Sequence, residues 1–153
     1  MKFILFMLAL IAPAAAMAGQ DVSLTSEVFV EKVVKDAKGE PKTVRGAPGV
    51  VTPGDKLVFV LSYKNAGAQP ATGFTVTNPV PGAVAFSAAE SGGSDVSVDG
   101  GKSWGQLAAL TIAQPDGSRR AAAPADVTHI RWNFAQPIAA GSGGQLSFRA
   151  TVR

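Results

Sequence analysis

Glycine and proline divide this chain into segments that are too short for ordinary helices. Its 153 residues include 17 glycines and 10 prolines, where average usage would give about 11 and 8. They recur in clusters such as Pro53-Gly54, residues 79–82, Gly100-Gly101 and residues 141–144. Inside a helix each glycine costs about 1 kcal/mol and each proline about 3 kcal/mol. The spacing therefore excludes a helix bundle and predicts many turns between short strands.

Between these turns, apolar and polar side chains alternate as they do in β-strands. Residues 56–65 place four apolar side chains on one face, namely Leu57, Phe59, Leu61 and Tyr63. Val58 and Val60 make the opposite face apolar as well, which predicts a central strand. Asn65-Ala66-Gly67 is its exit turn, in which Asn65 and Gly67 are both able to take positive φ. Residues 114–126 are expected to form an exposed, mobile loop.

Similar patterns cover residues 22–34, 73–78, 127–134 and 146–153, and no helix of normal length is predicted after the first 18 residues. We therefore predict an all-β fold, an antiparallel β-sandwich of about seven to nine strands, after an N-terminal signal helix.

The first 18 residues have the pattern of a secretory signal peptide. Lys2 supplies a positive start, an unbroken apolar run covers residues 3–11, and Ala16-Met17-Ala18 satisfies the A-x-A cleavage rule. The apolar run is shorter than the roughly 20 residues that span a bilayer. We expect cleavage before Gly19, and neither a lipid anchor nor a transmembrane segment in the mature protein.

Charge and composition narrow the function further. Removing residues 1–18 leaves 135 residues with a formal charge of +2, and the longest basic run is the pair Arg119-Arg120. This is too little positive charge for a nucleic-acid surface. The chain contains no cysteine and one histidine, so cysteine-ligated metals and multi-histidine sites within one chain are excluded.

We expect residues 19–49, a long strand and hairpin, to form one domain with the sandwich over residues 50–153.

Residues 53–86 contain a series of turn and strand motifs, Pro53-Gly54-Asp55, Tyr63-Lys64-Asn65-x-Gly67, Ala71 and Thr75-x-Thr77-Asn78-x-x-Pro81, and later come residues 138–141 and Leu146-x-Phe148-x-Ala150-x-Val152. With these features the chain resembles the conserved repeat domain of prokaryotic surface proteins, an immunoglobulin-like family of unknown function. The resemblance covers roughly residues 50–153, apart from a divergent middle at residues 87–126. It implies an immunoglobulin-like module exposed at a cell surface.

One local motif resembles the Asp-box of secreted β-proteins. Its fixed positions are Ser97, Asp99, Gly101 and Trp104. Asp99 is expected to cap backbone N–H groups, Gly101 to take positive φ and Trp104 to pack beneath the turn. We interpret these four residues as a structural turn. Asp95 and Asp99 also approximate the start of a calcium loop, but Gln106 replaces the glutamate that would close it.

Four basic residues form a candidate contact stripe, His129, Arg131, Arg149 and Arg153, if their strands are neighbours. Such a stripe would suit an anionic polysaccharide or lipid headgroup, while a solvated strand face is the alternative interpretation. An enzyme is the class we least expect. It would need a facing acid pair or a nucleophile beside His129.

These observations favour an exported, non-catalytic structural or interaction module of the bacterial cell envelope, with no cofactor and no metal. Its partner would be an unidentified envelope protein or polysaccharide, and its location the periplasm, the outer surface or the medium. Two alternatives remain open. Residues 22–34 could add to a neighbouring sheet edge, making the protein a subunit of a surface assembly or a homo-oligomer by strand addition. It could instead be a carbohydrate- or calcium-binding domain.

Overall fold

A computed structural model describes residues 21–153, and the predicted signal peptide lies outside them. The described chain forms ten β-strands: β1 (Val22–Lys35), β2 (Pro41–Gly46), β3 (Lys56–Asn65), β4 (Thr75–Pro79), β5 (Val84–Ala89), β6 (Ser94–Ser97), β7 (Thr111–Ala113), β8 (Arg119–Ala121), β9 (His129–Asn133) and β10 (Gly143–Val152). Its helical segments are two 3-10 turns of three residues each, Leu107–Ala109 and Pro124–Asp126.

Eight of these strands form a two-layer β-sandwich, which confirms the predicted all-β class. The larger sheet has the order β2-β1-β3-β10-β5 and the smaller one β4-β9-β6. Every strand pair in both sheets is antiparallel. The strand β3 lies between β1 and β10, which confirms its predicted central position. The strands β7 and β8 form a separate hairpin at the side.

The core lies between the two sheets and is built from aromatic and branched side chains. Phe148 on β10 is fully buried, stacks on Phe59 of β3 with ring centroids 4.6 Å apart, and lies 6.4 Å from Trp132 of the opposite sheet. Burial of such aromatic rings supplies much of the stabilisation of a domain without disulfides. The alternation predicted for β3, β9 and β10 correctly identifies these inward positions.

Two local features differ from what the sequence indicates. Asn65 and Gly67 could take positive φ but do not, because the Asn65 side chain closes the turn by accepting from the Gly67 backbone N–H at 3.0 Å. Residues 114–126 are exposed or half-buried as predicted, but they contain β8 and the second 3-10 turn rather than an irregular loop alone. Arg120 pairs with Asp126 there at 2.6 and 2.7 Å, and this bidentate ion pair organises the segment.

Candidate functional site

The Asp-box-like segment forms a closed turn directly after β6. The Asp99 carboxylate accepts four hydrogen bonds: Oδ1 from the Ser97 hydroxyl at 2.7 Å and from the backbone N–H groups of Lys102 and Ser103 at 3.1 and 2.9 Å, and Oδ2 from the Ser103 hydroxyl at 2.6 Å. These bonds, led by that of the Ser103 hydroxyl, hold the pKa of Asp99 well below its ordinary value. The negatively charged Asp99 carboxylate therefore joins the hydrogen bonds that hold the turn together.

The other motif residues complete the same turn. Gly101 has φ +87° and donates its backbone N–H to the Ser97 hydroxyl at 2.9 Å. The indole N–H of Trp104 donates to the Gly101 carbonyl at 3.0 Å. All four residues predicted to build a structural turn thus make bonds within it.

The calcium interpretation gains no support from this geometry. Both Asp99 oxygens face N–H and O–H donors, whereas a calcium ion needs free oxygen ligands. Asp95 accepts from Gln106 at 3.1 Å and lies 3.6 Å from Arg131. Within residues 21–153 no group of three or more potential metal ligands comes together.

A groove of about 390 Å³ runs beside this turn and is lined in part by Asp99, Ser103, Leu110, Thr111 and Arg119. Arg119 is held in place by Thr111, because its Nε donates to the Thr111 hydroxyl at 2.6 Å and its NH2 group to the Thr111 carbonyl at 3.2 Å. The groove thus combines a carboxylate, two hydroxyls and a guanidinium with an apolar wall. Sequence reasoning considered Arg119 only as part of the longest basic run, because residues 114–126 were predicted as a loop, and it assigned no role to Thr111.

Arg131 and His129 of the candidate stripe lie against the same turn. The Arg131 guanidinium stacks 4.3 Å above the Trp104 ring, a cation–π contact worth about 0.5–2 kcal/mol. The His129 ring meets the Trp104 edge with centroids 6.3 Å apart. Both side chains therefore pack on the turn.

A hydroxyl does lie beside His129, which was the condition for an enzymatic interpretation. The Thr128 Oγ1 is 3.1 Å from His129 Nδ1, but it donates to the Ser97 carbonyl at 3.1 Å and accepts from the Gly100 backbone N–H at 3.1 Å. The Ser97 carbonyl and the Gly100 N–H thus engage the hydroxyl as donor and acceptor within the turn. This hydroxyl ties β9 to the turn and is not arranged as an activated nucleophile.

The four stripe residues do not share one face. His129 and Arg131 belong to β9 in the smaller sheet, whereas Arg149 belongs to β10 in the larger sheet. Arg153 follows β10 and donates to the carbonyls of Val84 and Ala125, both at 2.9 Å. Since β9 and β10 are not neighbours, the continuous basic stripe that the sequence suggested does not form.

Arg149 instead joins a closed ring of four charges on the outer face of the larger sheet. Glu31 contacts Arg45 at 3.2 Å and Arg149 at 3.1 Å, while Glu90 contacts Arg149 at 2.8 Å and Arg45 at 3.2 Å. Burial raises the pKa of Glu31, but hydrogen bonds from Arg149 and Arg45 outweigh it and hold that pKa below its usual value. Because the Arg149 guanidinium pairs with Glu31 and Glu90, it is not free to bind an anionic ligand.

The sequence could not reveal this ring, because its members are separated by up to 118 residues. They meet only through the order of the strands, with β2 beside β1 and β5 beside β10. Val58 is fully buried although it lies on the same outer face as Arg149.

One half of β1 is paired on one side only. Its partner β3 pairs with Val22–Glu31, but β2 pairs only with Val30–Lys35. Within residues 21–153, residues 22–29 thus have a strand on one side only, and Leu24 there is 45% exposed. We call residues 22–29 the β1 edge. The sequence predicted the long strand but not where β2 would stop covering it.

No protein-family model, no curated protein and no solved structure matches this chain. In the described part of the chain, no helix is long and apolar enough to cross a membrane. What the protein does must therefore be inferred from its own sequence and geometry.

Proposed function

We propose that this protein is an exported, non-catalytic interaction module of the bacterial cell envelope. Its export is supported by the signal-peptide pattern of residues 1–18 and by the resemblance to surface repeat domains. The polar groups around Asp99 and His129, which an enzyme would need free, are used in turn-forming bonds. The observation that carries the interaction role is the β1 edge, a length of strand whose backbone groups are open on one side.

Export is tested by expressing the full chain with a C-terminal tag and measuring its intact mass in each cell fraction. We expect the envelope or periplasmic fraction to contain a species that lacks residues 1–18. The variant Ala18→Arg, which breaks the A-x-A rule, should accumulate uncleaved, while the matched control Ala15→Ser should be processed normally. Full-length protein confined to the cytosol would contradict the proposal.

The interaction role is tested separately with a photo-crosslinking amino acid in place of Leu24, in cells. Val50, which is 96% exposed and lies outside the strands, provides the matched control position. We expect a discrete adduct from position 24 and none from position 50. Equal labelling from both positions, or none from either, would argue against an interaction at the β1 edge.

A second candidate function, polysaccharide binding, is favoured by the groove beside Asp99. Its apolar wall and the Arg119 guanidinium, which Thr111 holds in place, suit the apolar faces and the hydroxyl groups of a sugar chain. Calorimetric titration with cell-envelope polysaccharide should show binding that Arg119→Gln weakens and that Arg120→Gln, whose side chain pairs with Asp126, leaves unchanged. Identical titrations for all three proteins would remove this candidate.

A further inference from the structure

The β1 edge is open along its whole length within residues 21–153. Apart from the ladder to β3, no backbone hydrogen bond joins residues 22–29 to any other described segment. An uncovered row of N–H and C=O groups is a template for pairing with another strand. Three properties determine which strand could pair with this row: the direction of its backbone groups, the absence or presence of residues that block edge pairing, and the complementarity of the side chains.

Two hydrogen bonds define the direction of the backbone groups. The backbone N–H of Ala66, which follows β3, donates to the Asp21 carbonyl at 2.8 Å, so the backbone groups of Asp21 point toward β3. The backbone N–H of Asp36 donates to the Glu40 carbonyl at 2.8 Å, so the backbone groups of Asp36 point toward the β2 side. Backbone groups alternate in direction along an antiparallel strand. The odd-numbered residues of the β1 edge therefore bond to β3. The even-numbered residues present N–H and C=O to the open side, and they are Val22, Leu24, Ser26 and Val28.

The β1 edge also lacks the devices that protect other edges of this fold. Proteins commonly guard edge strands with proline, lysine, bulges or short length. Pro41 and Lys42 lie on β2, a bulge interrupts the pairing of β5 with β10, and β6 has four residues. Residues 22–29 contain no proline, glycine, lysine or arginine, and Glu27 is their one charged residue.

The sequence of the β1 edge is complementary to itself in the antiparallel direction. A two-fold axis at Ser26 places Ser26 opposite its own copy and Leu24 opposite Val28, both of which point to the inner face. On the outer face, Glu27 then lies opposite Thr25, so no like charges face each other. The outward backbone groups at positions 24, 26 and 28 fall in hydrogen-bonded pairs in this register. Pairing covers residues 23–29 of each copy, because Val22 of the second copy would fall opposite Val30, where Gly46 of β2 already occupies the edge.

We propose that the β1 edge pairs antiparallel with the β1 edge of a second copy of this chain, centred on Ser26. The two larger sheets then continue as one sheet through the dimer. This inference rests on the proposed interaction function and names its partner. Self-association of purified protein tests it independently of export, so the two can fail separately.

The register is tested with single cysteines, since the chain has none of its own. Opposed residues in a hydrogen-bonded pair have Cα atoms about 5.5 Å apart, within disulfide range. Ser26→Cys should therefore form a covalent dimer under mild oxidation. Ser23→Cys is the matched control, because this register separates its two copies by about six residues, or roughly 20 Å. Equal crosslinking of both variants, or none of Ser26→Cys, would overturn the proposed pairing.

The affinity is tested by light scattering on purified protein over a wide concentration range. We expect a concentration-dependent dimer that Leu24→Lys weakens about tenfold or more, because two cross-strand pairs are lost and a gatekeeper charge is introduced. Val33→Lys is the control: Val33 is 72% exposed but lies where β2 covers β1, so this variant should dimerise like the wild type. A monomer at all concentrations, or equal effects of both variants, would refute the second copy as the occupant.

Discussion

Replacing Asn65 with alanine should strongly destabilise this protein. Asn65 ends β3 and is 1% exposed. Its Nδ2 donates to the carbonyls of Gln69 and Ile138 at 2.8 and 2.9 Å, and its Oδ1 accepts from the Gly67 backbone N–H at 3.0 Å. One amide thus joins the turn after β3 to the segment that precedes β10.

The expected cost follows from these three bonds. Each neutral hydrogen bond contributes about 1 kcal/mol net, and an acceptor left buried without a partner costs about 1–3 kcal/mol more. The bond to Ile138 is buried, so its carbonyl would become such an acceptor. Asn65→Ala should therefore lower the free energy of unfolding by about 4–6 kcal/mol, a large share of the 5–15 kcal/mol typical of a domain.

The measurement is urea unfolding followed by far-UV circular dichroism. The midpoint should fall strongly for Asn65→Ala with little change in slope. Asn78→Ala is the matched control, because Asn78 makes one exposed bond, to the Pro79 carbonyl at 2.8 Å, and its loss should cost less than about 1 kcal/mol. An Asn65→Ala protein within 1 kcal/mol of the wild type would refute the idea that this amide organises the turn.

The nearly isosteric change Asn65→Asp separates hydrogen bonding from packing. A carboxylate keeps the acceptor for Gly67 but places negative charge against the Gln69 and Ile138 carbonyls. Burial and these dipoles should raise the pKa of the new carboxyl above its unfolded value of about 3.9. A raised pKa means that stability falls as pH rises from about 4. The variant should therefore be closer to wild type at pH 4 than at pH 7, and a pH-independent difference would contradict this.

Three further changes test other parts of the structure. Hydrogen bonds hold the pKa of Asp99 below its ordinary value of 3.8, so its contribution to stability is complete above pH 4 and is lost as the pH falls below that; denaturation at several pH values should show a steeper acid loss for wild type than for Asp99→Asn. Gly143→Ala should cost about 1–3 kcal/mol in thermal melts, because an added Cβ would collide with the Tyr63 carbonyl oxygen. Gly82→Ala, whose Cβ would meet nothing within 4 Å, should change stability by less than about 0.5 kcal/mol. Glu31→Gln should lower the free energy of unfolding by about 1–2 kcal/mol at low salt and by less in 1 M NaCl, because it breaks the salt-bridge ring. A difference in urea midpoint between variant and wild type that does not change with salt would contradict this prediction.

The architecture follows from sequence because local patterns carry it. Alternation in residues 56–65 and 146–153 identifies the inward side chains, such as Phe59 and Phe148, and the glycine and proline clusters mark where strands end. Both signals act within a few residues. The Asp-box-like turn is predictable for the same reason, since all four of its residues lie within eight positions and bond to one another.

Features that depend on strand order are not predictable in this way. Arg149 and Arg131 look equivalent, since each alternates outward on a strand near the end of the chain. The sheet order places Arg149 among Glu31, Arg45 and Glu90 and places Arg131 on Trp104. Asn65 was interpreted by its backbone preference, whereas its buried side chain bonds to Ile138, 73 residues away. Non-local pairing decided each of these roles.

The unequal size of the two sheets explains why the β1 edge is open in two respects at once. Three strands cannot cover five, so inward side chains of β1 such as Leu24 remain exposed at the margin. In the part of the chain that the structure describes, the same residues also have outward backbone groups without a strand partner. A strand with polar side chains would satisfy the backbone but leave Leu24 without an apolar neighbour. The edge of a second copy satisfies both, because it brings Val28 opposite Leu24 as it completes the ladder. The surface that the smaller sheet leaves uncovered is therefore best completed by the chain itself.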